Sequence, residues 1–280
     1  MFTQTNLYPM TLNELQVNSS RRFKLSDWNP SNTMGRTRQD CEKELSNLHS
    51  LMSELQYRLY IEDKKSLLII LQGMDTSGKD GTIRHVLGAF NPAGCYVKAF
   101  KAPTEEEQSH DFLWRIYRAV PQKGYIAVFN RSQYEDVIEV RLKKLVEKSV
   151  WEARYDQINQ FEKNLNENNV KIIKFFLHIS KQEQRKRLAK RLSHPEKRWK
   201  VDEDDFERHK KWNEYMKAYE DAIIRCSTPE SPWYIIPANN KWFRNWLVAK
   251  IIVKTLKQMK IMKPKYIIPQ NSKILKKAKL

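Results

Sequence analysis

LLIILQGMDTSGKDGT, Leu67 to Thr82, is the stretch on which the fold turns. Leu67 to Leu71 form a continuous apolar run of the kind buried on both faces in a parallel sheet. It passes directly into a loop that nearly fits G-x-x-x-x-G-K-[ST]: Gly73, Gly78 and Lys79 are in register, and Asp80 stands where Ser or Thr would. Glycines let backbone amides converge on phosphate oxygens, a helix starting near Asp80 adds its positive end, and Lys79 supplies a point charge. The whole segment, Gly73, Met74, Asp75, Thr76, Ser77, Gly78, Lys79, Asp80, Gly81 and Thr82, is therefore a candidate phosphate cradle. Its two carboxylates would repel phosphate unless a magnesium ion stood between, since that cation accepts carboxylate, phosphate and water oxygens together. Asp75 is the stronger metal or transfer candidate, and Asp80 replaces the missing hydroxyl. Thr82, two residues late, can equally be a plain helix residue.

Upstream, Leu45, Leu48, Met52, Leu55 and Leu59 recur at three- and four-residue spacing, which predicts an amphipathic helix from Arg38 to about Ile61. Residues 1 to 37 carry no such period and read as an arm laid over the surface, with Arg21, Arg22 and Lys24 in it. Downstream, short apolar runs at Tyr96 to Phe100, Tyr125 to Phe129, Ile172 to His178 and Trp233 to Pro237 are separated by helix-length segments. Thr104 with Glu107 and Ser180 with Glu183 have capping-box spacing. This alternation predicts an α/β fold, a P-loop kinase-like three-layer α/β/α arrangement with a parallel sheet and a helical lid. One domain is expected over 38 to 260, followed by a basic tail, 261 to 280.

The chain has 280 residues, 40% of them hydrophobic, enough for a substantial core. Lysine and arginine outnumber the acids by 51 to 33, a formal charge of +18 that favours polyanionic partners. No apolar run approaches the roughly 20 residues of a membrane span, and the first residues lack a basic-then-apolar leader, so a cytoplasmic protein without membrane contact is expected. Cys41, Cys95 and Cys226 are too scattered for a disulfide framework or zinc site and read as packed thiols.

YIAVFNRSQYEDV, Tyr125 to Val137, runs from a strand into a polar loop at the sheet edge where α/β proteins bind ligands. Asn130 stands where a Walker B acid often would. Arg131 can grip phosphate with its planar fork, and Glu135 and Asp136 can hold a metal, a water or a nucleotide group, or can simply be acids favoured at a helix start. After KIIKFFLHIS comes a basic segment, Lys181 to Phe206. Its position suits a lid whose arginines close over transferring phosphoryl groups, although a basic helix is also what a solvated face looks like. Arg187 and Arg191 share one helix face. Lys197, Arg198 and Lys200 continue the charge.

GMDTSGKDGTIRHV, FKAPTEEEQSHDFLWRIYRAVP, FNRSQYEDV, KFFLHISKQEQRKRL, HPEKRWK and WYIIPANNKWFRN, in that order over roughly residues 20 to 258, resemble the family 2 polyphosphate kinases. GMDTSGKDG and NRSQYEDV are similar to the class III type, which accepts both AMP and ADP. The resemblance implies transfer of the terminal phosphoryl group of polyphosphate to AMP and ADP, and to GMP and GDP, with Mg2+ as cofactor. It implies catalytic roles for Asp75, Lys79, Arg131, Arg187 and Arg191. Lys24, Lys101, Asn130, Glu135, Asp136, Lys197 and Arg198 join the cradle as expected substrate contacts, Asp75 and Asp136 are the expected metal ligands, and Glu135 sits where the classes differ. The expected partners are polyphosphate, nucleoside mono- and diphosphates and further copies of the chain, in a dimer or tetramer. An ATP-dependent nucleotide or nucleoside kinase and a nucleic-acid-binding protein are the alternatives. The charge speaks against the first, and the lack of any helix-turn-helix, zinc or RNA-recognition signature against the second.

Overall fold

The computed structural model describes residues 12, 14 to 17 and 23 to 262. In chain order the elements are α1 (Arg38–Glu62), β1 (Ser66–Gln72), α2 (Lys79–His85), β2 (Cys95–Ala99), α3 (Glu105–Gln108), α4 (Trp114–Tyr117), β3 (Ile126–Asn130) and α5 (Glu135–Leu142). There follow α6 (Lys148–Glu167), β4 (Val170–His178), α7 (Lys181–Leu192), α8 (Glu203–Lys210), α9 (Trp212–Arg225), β5 (Trp233–Pro237) and α10 (Lys241–Gln258). The strands form one all-parallel sheet in the order β2-β3-β1-β4-β5. The α/β expectation holds, and each expected strand lies within two residues of its observed bounds.

β1 is central and buried at every position, which is why its sequence shows no alternation. Helices α1, α2 and α10 make one outer layer, with α1 lying along α10, and α5, α6 and α9 make the other. Thr37 caps α1 by accepting from the Asp40 amide, and Leu48, Met52, Leu55 and Leu59 form its buried stripe. The capping box at Thr104 and Glu107 is complete. At Ser180 only half of it forms: the hydroxyl accepts from the Glu183 amide, while the Glu183 carboxylate turns to Arg187 Nε at 2.7 Å. An arginine one turn on offers a charged partner that a helix-end amide cannot match.

The described part of the arm does more than cover the surface. Leu15 and Val17 are buried, and the backbone around Gln16 pairs antiparallel with Tyr234 on the outer edge of β5. Val17 donates to the Trp233 carbonyl (2.9 Å) and Ile235 to that of Leu15 (3.0 Å). An otherwise open row of sheet donors and acceptors is thereby satisfied. Most of the basic tail, from 263 on, lies outside the described residues, as do Arg21 and Arg22. Among the described residues no helix is long and apolar enough to cross a membrane. The three cysteines are unpaired, with Cys41 and Cys226 buried.

Candidate active site

At the carboxyl ends of β1 and β3 a cleft of about 1650 Å³ opens, lined by the loop after β1, by Asn130, Arg131, Glu135 and Asp136 after β3, and by residues of α7 and α8. The topology puts it there: β3 and β4 flank β1 on opposite sides, so the connections diverge around the β1 loop.

The loop is held in a strained shape. Gly73 has φ +143°, and a Cβ there would lie 2.8 Å from the Leu177 carbonyl oxygen. Thr76 and Arg131 both sit at φ +64°, a region that costs a non-glycine residue about 1–3 kcal/mol and persists only when neighbours enforce it. Helix α7 does so for Thr76. Gln184 donates to the Asp75 carbonyl (3.2 Å), and Arg187 Nη1 donates to the carbonyls of Thr76 (2.9 Å) and Ser77 (3.2 Å). Arg187 Nη2 reaches the Ala238 and Asn239 carbonyls at 2.8 and 2.9 Å. With Nε on Glu183, all five donors of Arg187 are engaged, and this side chain splints the loop to the end of β5. The loop after β3 has its own anchor: Gln133 and the Tyr134 hydroxyl both donate to Glu162 Oε1, and buried Lys174 bonds the other Glu162 oxygen and the Cys226 carbonyl.

Asp75 is the centre of charge. Its Oδ1 accepts from Arg131 Nη2 at 2.9 Å and its Oδ2 from Arg208 Nη1 at 3.1 Å. Burial would raise its carboxyl, but Lys79, Arg131 and Arg208 together hold it below the ordinary carboxylate range. Lys79 folds back across the loop to the carbonyls of Gly73 (2.7 Å) and Met74 (3.3 Å), and burial followed by the nearby Arg131 charge lowers its ammonium. The side chains of Thr76, Ser77 and Thr82 each carry a buried hydroxyl oxygen without a hydrogen-bond partner, and of the three Thr76 lines the cleft, while Ser77 and Thr82 are fully buried away from it. Asn130 Nδ2 donates to Asp80 Oδ1 at 2.8 Å, so the carboxylate and the neutral group stand in exchanged places relative to the usual loop hydroxyl and strand-end acid.

Glu135 lies 3.9 Å from Arg131, and burial, opposed by that arginine, raises its carboxyl. Asp136 is drawn elsewhere. Its Oδ2 is 3.3 Å from Arg115 Nη2 and its Oδ1 3.9 Å from Arg154 Nη1. Asp136, like Asp75, is thus bracketed by two guanidinium groups, whereas the Asp80 partner is the neutral Asn130 amide. Arg191 is 3.7 Å from Asp205. Lys101 is exposed at the rim, with its carbonyl accepting from Arg115 (2.9 Å). Arg198 is exposed and donates to the Leu192 carbonyl (2.9 Å), and Lys24 is exposed and is not among the cleft-lining residues. The Lys197 side chain lies outside the described residues.

Two groups that the sequence reading passed over come from α8. Arg208 spans Asp75, Glu139 (3.1 Å) and Asp204 (3.2 Å), so the segment reaching over the loop continues past 206. Asp205, also buried, is pushed up to about 6 by burial and then by Asp75. Its folded value exceeds the ordinary 3.8, so the folded state retains a proton that the unfolded chain gives up, and stability is lost as pH rises through that window. Asp205→Asn, which keeps the helix-capping oxygen, is expected to melt a few degrees above the parent at about pH 7.5, with the difference vanishing near pH 4. Melting curves of both proteins across this range check it, and parallel profiles would refute the assignment.

Similarity to known proteins follows this geometry. The family model for Polyphosphate kinase 2 (PPK2) matches residues 35–264. The chain belongs to the polyphosphate kinase 2 family. Within the family, the chain is 46% identical over 255 residues to the AMP/ADP-polyphosphate phosphotransferase of Meiothermus ruber, covering 90% of this chain and 96% of that protein. It is 43% identical over 225 residues to the ADP-polyphosphate phosphotransferase of Rhodopseudomonas palustris, covering 76% and 78%. The crystal structure of polyphosphate kinase 2 from Arthrobacter aurescens TC1 superposes with a TM-score of 0.89 at 40% identity, over 97% of this chain and 96% of that one. The P-loop α/β fold and the membership expected from the motifs are thus both established.

Proposed function

We propose that the chain transfers the terminal phosphoryl group of inorganic polyphosphate to AMP and to ADP, giving ADP and ATP, with GMP and GDP as further acceptors. The observation that carries this reading is the convergence of Lys79, Arg131 and Arg208 on Asp75 at the mouth of a phosphate loop, in a chain matching AMP- and ADP-using polyphosphate phosphotransferases along most of its length. A phosphate oxygen of the acceptor attacks the terminal phosphorus, the bridging P–O bond breaks, and polyphosphate leaves one unit shorter. The attacking oxygen is already ionised at neutral pH, so no side chain need remove a proton; positioning and charge neutralisation carry the rate.

On this reading Arg131 and Arg208 exchange the Asp75 carboxylate for phosphate oxygens as substrate enters, and Lys79 turns from the loop carbonyls to the chain. Magnesium, which needs only one or two carboxylates beside phosphate and water, fits Asp75 and Asp80 and would neutralise the charge that develops on the transferred group. Glu135, beside Arg131, is placed to influence acceptor choice. The test is incubation of the purified chain with magnesium, long-chain polyphosphate and either AMP or ADP, without ATP. ADP and then ATP should form from AMP. Reaction with ADP alone would overturn the dual-acceptor assignment, and reaction only when ATP replaces polyphosphate would overturn the donor.

A further inference from the structure

Beneath the phosphate loop lies a cation that the proposed chemistry leaves unused. Arg244, in the first turn of α10, is 1% exposed. Its Nε and Nη2 share Asn245 Oδ1 at 3.2 and 2.8 Å, and its Nη1 donates to the Ser77 carbonyl at 3.3 Å. A guanidinium has five donors, so one hydrogen on each Nη stays uncommitted. Among the described residues no carboxylate pairs with it. The charged neighbour that acts on it most is another cation, Arg187, and burial followed by that repulsion brings Arg244 down to about 10.

The fork lies hard against the loop. A Cβ on Gly78 would fall 1.8 Å from Nη1, and one on Gly81 would fall 3.1 Å from Nη2. Both glycines are bare where the guanidinium sits, and Arg244 lines the same cleft as Lys79 and Asp75. A buried charge without a counter-ion is costly to fold around, and that cost is recovered only when an anion arrives. Arg187 differs: it has Glu183 as a partner and spends every donor on fixed groups. We propose that Arg244 is a polyphosphate-binding residue, the buried cation under Gly78 and Gly81 whose counter-ion is the phosphate chain itself, with Asn245 fixing its fork.

This inference rests on reading the cleft as a polyphosphate site. Its test is calorimetric titration of the full chain with inorganic tripolyphosphate at two salt concentrations, for the parent, Arg244→Met and Arg244→Lys, together with ligand-free melting curves. Arg244→Met should weaken binding at least about tenfold and flatten the salt dependence by about one released counterion. Its ligand-free melting temperature should match or exceed the parent's, because an uncompensated charge has been removed. Arg244→Lys, keeping the charge without the fork, should bind between the two. A purely structural arginine would give the reverse, a lower melting temperature with parental affinity and salt dependence, and that result overturns the proposal. Should Arg244→Met not fold, Arg244→Gln, which retains a donor, carries the same comparison. A parent that does not bind tripolyphosphate defeats the proposed function and this inference together; a parent that binds, with variants unchanged, defeats this inference alone.

Discussion

Lys79→Ala and Asp75→Ala are each expected to lower turnover at least about a hundredfold, roughly 2.7 kcal/mol of transition-state stabilisation, with the fold retained. Lys79 is the loop's own cation, and Asp75 organises Arg131 and Arg208 from opposite oxygens. Removing the amine takes away a charge that counts most when negative charge is spread over the transferred oxygens. Removing the carboxylate takes away the candidate metal donor and leaves two guanidinium groups facing each other. The maximal rate and kcat/KM for polyphosphate should fall together. Initial-rate kinetics with ADP, with circular dichroism as a folding control, measure this. A rate within threefold or so of the parent in either variant would remove the loop from the chemistry.

Arg187→Ala is expected to act first on stability. Truncation takes the Arg187 donors from the carbonyls of Thr76, Ala238 and Asn239 and from the Glu183 carboxylate, leaves Ser77 only its bond from Arg244, and frees a loop whose Thr76 is held at φ +64°. Orphaned buried acceptors cost about 1–3 kcal/mol each where water cannot reach them, so a loss of about 3 kcal/mol or more is expected, with turnover falling because the cradle loses its shape. Urea denaturation and kinetics on the same preparation separate this from a transfer role, which would leave the midpoint unchanged and depress only the maximal rate.

The sequence could announce the loop because its chemistry is local. Glycines at 73 and 78, the lysine at 79 and the preceding apolar strand are neighbours in the chain, and the physics that needs them acts over a few residues. The segment from Lys181 was legible as basic, but the division of labour among its arginines was not. Arg187 and Arg191 share a face at four-residue spacing, yet one reaches the loop carbonyls and the other lies beside Asp205, a difference set by what packs against α7. Arg208 sits in ERHKK, a mixed-charge run that reads as a solvated helix until α8 is folded over Asp75. The pairing of Asp136 with Arg115 and Arg154 was not legible, because these stand 21 and 18 residues away, in segments with no signature of their own. Arg244 lies far down the chain from the glycines it touches, and only tertiary structure brings them together.

The docking of the arm on β5 also orders events in time. Val17 meets Ser227 across 210 residues, its carbonyl accepting from the serine hydroxyl at 2.7 Å, so the arm closes against the segment that leads into β5. Bringing such distant segments together has a large chain-entropy cost, which the sheet must already be formed to offset. Until β5 has joined the sheet there is no edge to offer, and Leu15 and Val17 remain apolar residues without a seat. The closing step of folding is then a zipper of a few backbone bonds at the rim of a finished sheet.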